Sequence, residues 1–174
     1  HYEARGDGVK DSKPFCSKEK EGWLYDFGVN TAGIETLRIK GERGQQIDLQ
    51  FAEYINPDGE LDYGNLGFYP DGFVQRDVYI LKGEGEEVFE PQFTYHGARY
   101  CLVLGLTDEQ ATEELLTFDI CASAIGDRGD FRCSDDTVNK LQVMTRNSDL
   151  SNFYYFPTDC PHREKNGWTG DASV

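Results

Sequence analysis

Hydrophobic and polar positions alternate with a period of two along most of the chain between about residues 22 and 126. Successive side chains of a β-strand point to opposite faces, so this pattern predicts strands with one buried face. Turn sequences rich in glycine separate the alternating segments. The predicted strands are 24–28, 33–40, 47–51, 74–81, 88–93, 99–104 and 114–123. Many short strands at regular spacing predict an antiparallel β-sandwich.

The same alternation predicts which side chains face the core and how strands pair. Strands 33–40 and 47–51 flank a Gly-Glu-Arg-Gly turn and are expected to form a hairpin. A further turn is expected at His96 and Gly97, with the histidine side chain bonding backbone groups. The apolar set of 33–40 is Ile34, Leu37 and Ile39, with one slip in register, and that of 74–81 is Val74, Val78 and Ile80, opposite Arg76 and Asp77.

The period changes near residue 127, where helical spacing begins. Ser134 is a suitable N-cap, and the two aspartates after it favour a helix start because they complement the helix dipole. Val138, Leu141 and Thr145 follow at helical spacing, which predicts a helix over about 135–150. The expected organisation is a polar arm at 1–21, a β-sandwich at 22–126 and the start of a helical domain at 127–174.

Charge and cysteine content narrow the class of partner. The net charge of −15 repels phosphate backbones and anionic lipid surfaces, so neither nucleic acid nor a membrane is an expected partner. The five cysteines are scattered and form no Cys-x-x-Cys pair, so neither a zinc site nor a dense disulfide framework is expected. We expect no cofactor and no metal. Localisation stays open.

The segment 157–171 has the composition of an active-site loop. Three acids, two basic residues, a histidine and a tryptophan lie within fifteen positions, and prolines and glycines fix an irregular backbone. Such a polar, aromatic loop directly after a helix is typical of binding and catalytic sites. A structured interdomain loop with satisfied ion pairs is the alternative.

This segment resembles the signature of the bacterial α-L-rhamnosidases of glycoside hydrolase family 78. That signature has Asp-Cys-Pro-(Gln/His)-Arg, then a Glu, then Gly-Trp-(Thr/Leu)-Gly-Asp. The matching residues are Asp159, Cys160, Pro161, His162, Arg163, Glu164, Gly167, Trp168, Thr169, Gly170 and Asp171. Segments 25–33, 79–83 and 93–100 also resemble family motifs in the family's order, so the resemblance covers about 22–174.

The resemblance implies a β-sandwich module followed by the first helix and active-site loop of a truncated (α/α)6 catalytic barrel. It implies inverting hydrolysis of terminal α-L-rhamnosides, with Glu164 as general acid. Many members have one more residue between the Arg and the Glu. Counting back from Gly167 selects Glu164, whereas counting forward selects Lys165, which cannot be a carboxylic acid. Burial beside Trp168 and two aspartates is expected to favour the protonated form.

Substrate-binding roles implied by the resemblance fall on Asp159, Arg163, Trp168 and Asp171. The structural alternatives are an internal ion pair for Arg163, core packing for Trp168 and a helix cap for Asp171. The family's base is a later Glu, so this chain alone is expected to be inactive.

Two other readings of the function stay open. One is a non-catalytic carbohydrate-binding or scaffold sandwich, and the other is a related barrel glycosidase that acts on another sugar. The implied partner is a rhamnose-containing glycoside, oligosaccharide or polysaccharide, and a homo-oligomer is possible.

Overall fold

The computed structural model of the chain describes residues 15–17, 22–66, 75–126 and 128–170. Within these residues the structure is mainly antiparallel sheet followed by one long helix, as predicted. The strands are β1 (Phe15–Ser17), β2 (Gly22–Lys40), β3 (Gln46–Ala52), β4 (Tyr54–Ile55), β5 (Leu61–Asp62), β6 (Gln75–Ile80), β7 (Glu86–Phe89), β8 (His96–Leu104), β9 (Leu116–Ile120), β10 (Phe153–Tyr154) and β11 (Phe156–Pro157). The helix α1 is Asp136–Asn152, and Gly64–Leu66 form a short 3₁₀ turn.

Strand β2 merges the two predicted strands 24–28 and 33–40. A β-bulge between Asp26 and Thr31 interrupts its register with β8, so the strand bends there and does not end. Gly28 has a φ of 79°, which suits glycine, and its N–H donates to the Asp26 carboxylate at 2.7 Å. The glycine that indicated a strand end is therefore part of a bend within one strand.

The bend lets β2 belong to both layers of the sandwich. Its first part pairs with β1 and β8, and β8 continues the layer to β3 and then β6. Its last part pairs with β9 on one side and with β7 on the other. The predicted hairpin of 33–40 with 47–51 is wrong, because β8 lies between β2 and β3.

The core lies between these layers and is formed by alternate positions of the strands. Ile47, Leu49 and Phe51 of β3 are fully buried, and burial stabilises each by about 1.5–3 kcal/mol. In β2, Leu37 and Ile39 are buried as predicted, but Ile34 is only partly buried. Continuing the period of two back from Ile39 and Leu37 reaches residue 35, so a glutamate occupies the inward position.

The predicted register of β6 is wrong by one residue. Val78 and Ile80 are exposed, whereas the odd positions 75, 77, 79 and 81 face inward. Val74 lies outside the described residues. Arg76 faces outward, where it binds the carboxylate of Asp48, and Asp77 points towards His96 of β8. Polar pairs between strands override the hydrophobic alternation at this edge strand.

Helix α1 is confirmed, with boundaries within two residues of those predicted. Its N-cap is Asp135 and not Ser134: the Asp135 carboxylate accepts from the backbone N–H groups of Thr137 and Val138. An aspartate suits this position as well as a serine does. None of the helix residues is buried, and α1 has neither the length nor the apolar character that a membrane-spanning helix requires.

Candidate active site

The predicted active-site loop is closed at its base by backbone hydrogen bonds. Thr158 and Gly167 form an antiparallel bridge, the N–H of Trp168 donates to the carbonyl of Pro157 at 3.2 Å, and the N–H of Asp159 donates to the carbonyl of Asn166 at 3.0 Å. Thr158 also donates through its N–H and its hydroxyl to the carbonyl of Asn152, at 2.7 and 3.0 Å. These bonds anchor the loop to the last residue of α1.

Inside the loop, the carboxyl groups of Asp159 and Glu164 share a hydrogen bond. That bond raises the pKa of Glu164 above its usual range, with burial and the charge of Asp159 acting in the same direction. Burial also acts to raise the pKa of Asp159. However, the Glu164 hydrogen bond and the Asn166 N–H, at 3.0 Å from Oδ1, hold it below its usual range. Of the two carboxyl groups, Glu164 is therefore the one that keeps its proton to the higher pH.

The sequence led us to expect that burial beside Trp168 and two aspartates favours the protonated form of Glu164. The hydrogen bond with Asp159 is the largest cause of the raised pKa of Glu164, burial adds to it, and Trp168 is 53% exposed. Arg163 lies 3.7 Å from Glu164, measured from Nε to Oε1, and its Nη1 donates to the carbonyl of Asn65 at 3.3 Å. The loop thus brings Asp159, Arg163 and Glu164 together. Asp171 lies outside the described residues.

The loop rests on the sandwich at Gly97. A Cβ added there would lie 2.7 Å from Cγ of Pro161 and 2.8 Å from the backbone nitrogen of His162. Gln75 supports this point from below, since its amide accepts from the Gly97 N–H at 2.9 Å and donates to the Gly97 carbonyl at 2.8 Å. The predicted turn at His96 and Gly97 is wrong: both lie in β8, and Gly97 is the point of closest approach to the loop.

A second group of sandwich residues meets the loop at His162. Oε1 of Glu53 accepts from Asn30 at 2.9 Å, and its other oxygen accepts from Asn65 and lies 3.7 Å from Nδ1 of His162. Burial lowers the pKa of His162, and the charge of Glu53 opposes this effect. The Asn30 of the β2 bend therefore supports the loop through Glu53.

A third group, buried under the loop, consists of Glu35, Asp77 and His96. Their side-chain donor atoms lie within 4.8 Å of one another, and this donor set could hold a divalent cation. Protonation of one of these side chains explains their close approach equally well. Burial, followed by the interaction with Asp77, raises the pKa of Glu35 to about 9, so its carboxyl is protonated at neutral pH.

Asp77 is the ionised member of this cluster. Burial acts to raise its pKa, but hydrogen bonds with His96 and Glu35 hold it below its usual range. His96 Nε2 therefore carries the hydrogen that it shares with Asp77, and the ring stacks on Phe51 at 4.3 Å between centroids. The alternation missed Glu35 because an inward glutamate interrupts the apolar pattern. The period of two from Leu37 and Ile39 could have found it.

Comparison with known proteins identifies this arrangement. Residues 17–125 match the bacterial α-L-rhamnosidase concanavalin-like domain, and residues 126–174 match the bacterial α-L-rhamnosidase 6 hairpin glycosidase domain. The chain belongs to the bacterial α-L-rhamnosidase family. The resemblance seen in the sequence is confirmed.

Curated relatives carry the same family name along a much greater length. An α-L-rhamnosidase of Formosa agariphila is 37% identical over 151 residues, which is 86% of this chain and 16% of that protein. One of Streptomyces avermitilis is 36% identical over 153 residues, 87% of this chain and 14% of that protein. The chain thus spans about a sixth of the length of these relatives.

Solved rhamnosidase structures share the fold. The α-L-rhamnosidase from Dictyoglumus thermophilum matches with a TM-score of 0.81 at 37% identity, covering 92% of this chain and 18% of that one. The Streptomyces avermitilis α-L-rhamnosidase complexed with L-rhamnose matches with a TM-score of 0.80 at 34% identity, covering 95% of this chain and 16% of that one.

Proposed function

We propose that this chain supplies the sandwich module and the proton donor of an inverting α-L-rhamnosidase, with Glu164 as the general acid. The observation that carries the proposal is the pair of carboxyl groups: the hydrogen bond with Asp159 raises the pKa of Glu164, while the pKa of Asp159 is lowered. A general acid must keep its proton until the leaving oxygen takes it, and a neighbouring carboxylate is an established way to achieve this.

Inversion requires a second carboxylate roughly 6.5–9.5 Å from the first, with a water between the base and the sugar. The base removes a proton from that water, which attacks the anomeric carbon as the bond to the leaving oxygen breaks. Glu164 gives its proton to that oxygen. We place the base in the part of the relatives' length that this chain does not span, because the chain covers only 14–18% of them.

Rhamnose presents hydroxyl groups and a methyl group, and the loop offers groups for each. Asp159 and Arg163 supply an acceptor and donors for hydroxyls. Trp168, with half of its surface exposed, offers an apolar face to the methyl group or ring. Asp171 is assigned to the same site on the motif alone. The substrate class is accordingly a terminal α-L-rhamnoside.

The anomer released first tests the proposal in the longer protein that contains this chain. Proton NMR during hydrolysis of an aryl α-L-rhamnoside should show β-L-rhamnose first, with the α anomer appearing at the rate of mutarotation. If α-L-rhamnose appears first, the inverting assignment is refuted. If no rhamnose is released from any α-L-rhamnoside while a sugar still binds, the non-catalytic reading replaces the enzyme.

A further inference from the structure

Lys165, the residue after Glu164, turns away from the active-site loop and into the sandwich. Its Nζ donates to the carbonyl of Tyr95 and lies 4.4 Å from the centroid of the Tyr95 ring. Ammonium groups over aromatic faces are attracted by the ring quadrupole. The Lys165 side chain therefore holds the loop at the end of β8 that also carries His96 and Gly97.

The sandwich places a counter-charge for this ammonium group. Burial lowers the pKa of Lys165, and the nearby charge of Asp77 opposes that effect. Asp77 is itself held in place by His96 and Glu35. Asp77 thus presents a negative charge to the ammonium group of Lys165.

The backbone at Lys165 also depends on this contact. Its φ is 55°, a left-handed conformation that non-glycine residues rarely adopt and that persists only where the surroundings fix it. The next residue, Asn166, binds Asp159 through both its N–H and its carbonyl. The conformation at Lys165 therefore sets the path between Glu164 and the residue that orients Asp159.

We propose that Lys165 is a positioning residue for the reaction: anchored on Tyr95 and Asp77 of the sandwich, it holds Glu164 in contact with Asp159. This inference rests on the proposed function, since it assigns the orientation of the proposed acid to a side chain that points away from the substrate. The sandwich thereby has a direct part in setting the protonation of the catalytic loop.

The experiment compares Lys165→Met with Lys82→Met in the longer protein. Lys82 is an exposed lysine of the sandwich whose replacement touches neither the loop nor the cluster. Each variant, with Lys165→Arg, is assayed on an alkyl rhamnoside, which needs protonation of its leaving group, and on a nitrophenyl rhamnoside, which hardly does.

We expect Lys165→Met to lower kcat on the alkyl substrate by about 10- to 100-fold, since small misplacements of catalytic groups cost that much. KM and the nitrophenyl rate should change by less than about threefold, and Lys165→Arg should recover part of the loss.

The pH profile separates positioning from simple charge removal. Losing the Asp159 contact lowers the pKa of Glu164, so the alkaline limb of kcat/KM on the alkyl substrate should move to lower pH in Lys165→Met. Loss of a nearby positive charge alone would move it to higher pH. An unchanged limb, a limb moved to higher pH, or equal losses on both substrates overturns the inference.

Two further variants keep the result decisive. Glu164→Gln, run in parallel, reports on the proposed function: if it shows no leaving-group dependence, that function fails. If it behaves as expected while Lys165→Met matches Lys82→Met, only the positioning inference fails. If Lys165→Met does not fold, the same comparison is made with Asp77→Asn, which removes the counter-charge and should give a smaller loss with the same substrate pattern. A uniform loss in Asp77→Asn counts against the inference.

Discussion

At the scale of single residues, the largest cause of the raised pKa of Glu164 is the facing carboxyl group of Asp159 and not an apolar surface. The motif spacing identifies Glu164 as the acid candidate, but it gives no information on which neighbour holds the proton. That neighbour is Asp159, because the loop turns back between the two residues and brings their carboxyl groups together. The sequence analysis named Asp159 together with Trp168 and Asp171 as neighbours that favour the protonated form. It could not single out Asp159, since the turn depends on contacts of the loop with the sandwich.

Replacing the proposed acid should give a loss that depends on the leaving group. A general acid contributes roughly 10²- to 10⁴-fold to the rate. Glu164→Gln in the longer protein should therefore slow an alkyl rhamnoside by about that factor and slow a nitrophenyl rhamnoside much less. Steady-state kinetics on both substrates measure this. Equal rates of the variant and the wild type on the alkyl substrate would contradict the assignment and leave Asp159 or Asp171 as the acid.

Glu35 should make the stability of the protein depend on pH. Its folded-state pKa of about 9 lies above its ordinary value of 4.5, so its contribution to stability is complete below about pH 4.5 and is lost as pH rises towards 9. The slope in that window is at most about 1.4 kcal/mol per pH unit. Glu35→Gln keeps a donor for Asp77 and removes the titration. Thermal melts of the longer protein from pH 5 to 8 should therefore show a flatter decline for the variant.

The matched control for this prediction is Glu84→Gln, at an exposed position of the sandwich. It should keep the wild-type slope. If Glu35→Gln and the wild type show parallel melting profiles across this range, Glu35 is ionised in the folded protein and the proton-based account of its cluster is wrong.

At the scale of elements, the alternation predicted the presence and positions of most strands but not their partners. It correctly indicated 47–51 and 99–104, yet it paired 33–40 with the wrong neighbour, because β8 lies between β2 and β3. Pairing depends on contacts between residues far apart in sequence, which a local period does not contain. The register of β6 failed for a related reason: its inward positions carry Gln75 and Asp77, whose partners lie on β8.

The fit between β8 and the loop should be sensitive to a single methyl group. Gly97→Ala would place Cβ against Pro161 and the backbone of His162, and backbone atoms cannot move aside cheaply. We expect the loop to shift, with activity on an aryl rhamnoside reduced about 10-fold or more and the thermal midpoint lowered. Gly129→Ala is the matched control, because a Cβ there meets nothing within 4 Å. Similar activity of the two variants would show that the loop does not rest on Gly97 in solution.

At the scale of the whole molecule, the sandwich is a platform for the proposed active-site loop. Three groups of contacts tie the loop to it, at Gly97, at Glu53 and at Asp77. The segments that resembled family motifs in the sequence, 25–33 and 93–100, include the residues that make or support these contacts. Their physical roles became apparent only from the fold, because β2 and β8 bring them under a loop that lies more than 50 positions later.

Helix α1, in contrast, has an apolar face that the sandwich does not cover. Val138, Leu141 and Met144 are exposed, and a groove of about 820 Å³ lies between the helix and segment 128–132. Because 126–174 match a 6 hairpin glycosidase domain, we expect further helical hairpins to pack against this face in a longer protein. Amide hydrogen exchange over 136–152 should therefore be slow in the longer protein and fast in the 174-residue chain, since a lone helix of this length is marginal in water.

Leu141→Asp should speed exchange in the longer protein, where it buries a charge, and should change little in the 174-residue chain. Equal protection of α1 in both proteins would mean that the sandwich alone stabilises the helix and that its apolar face has no further partner.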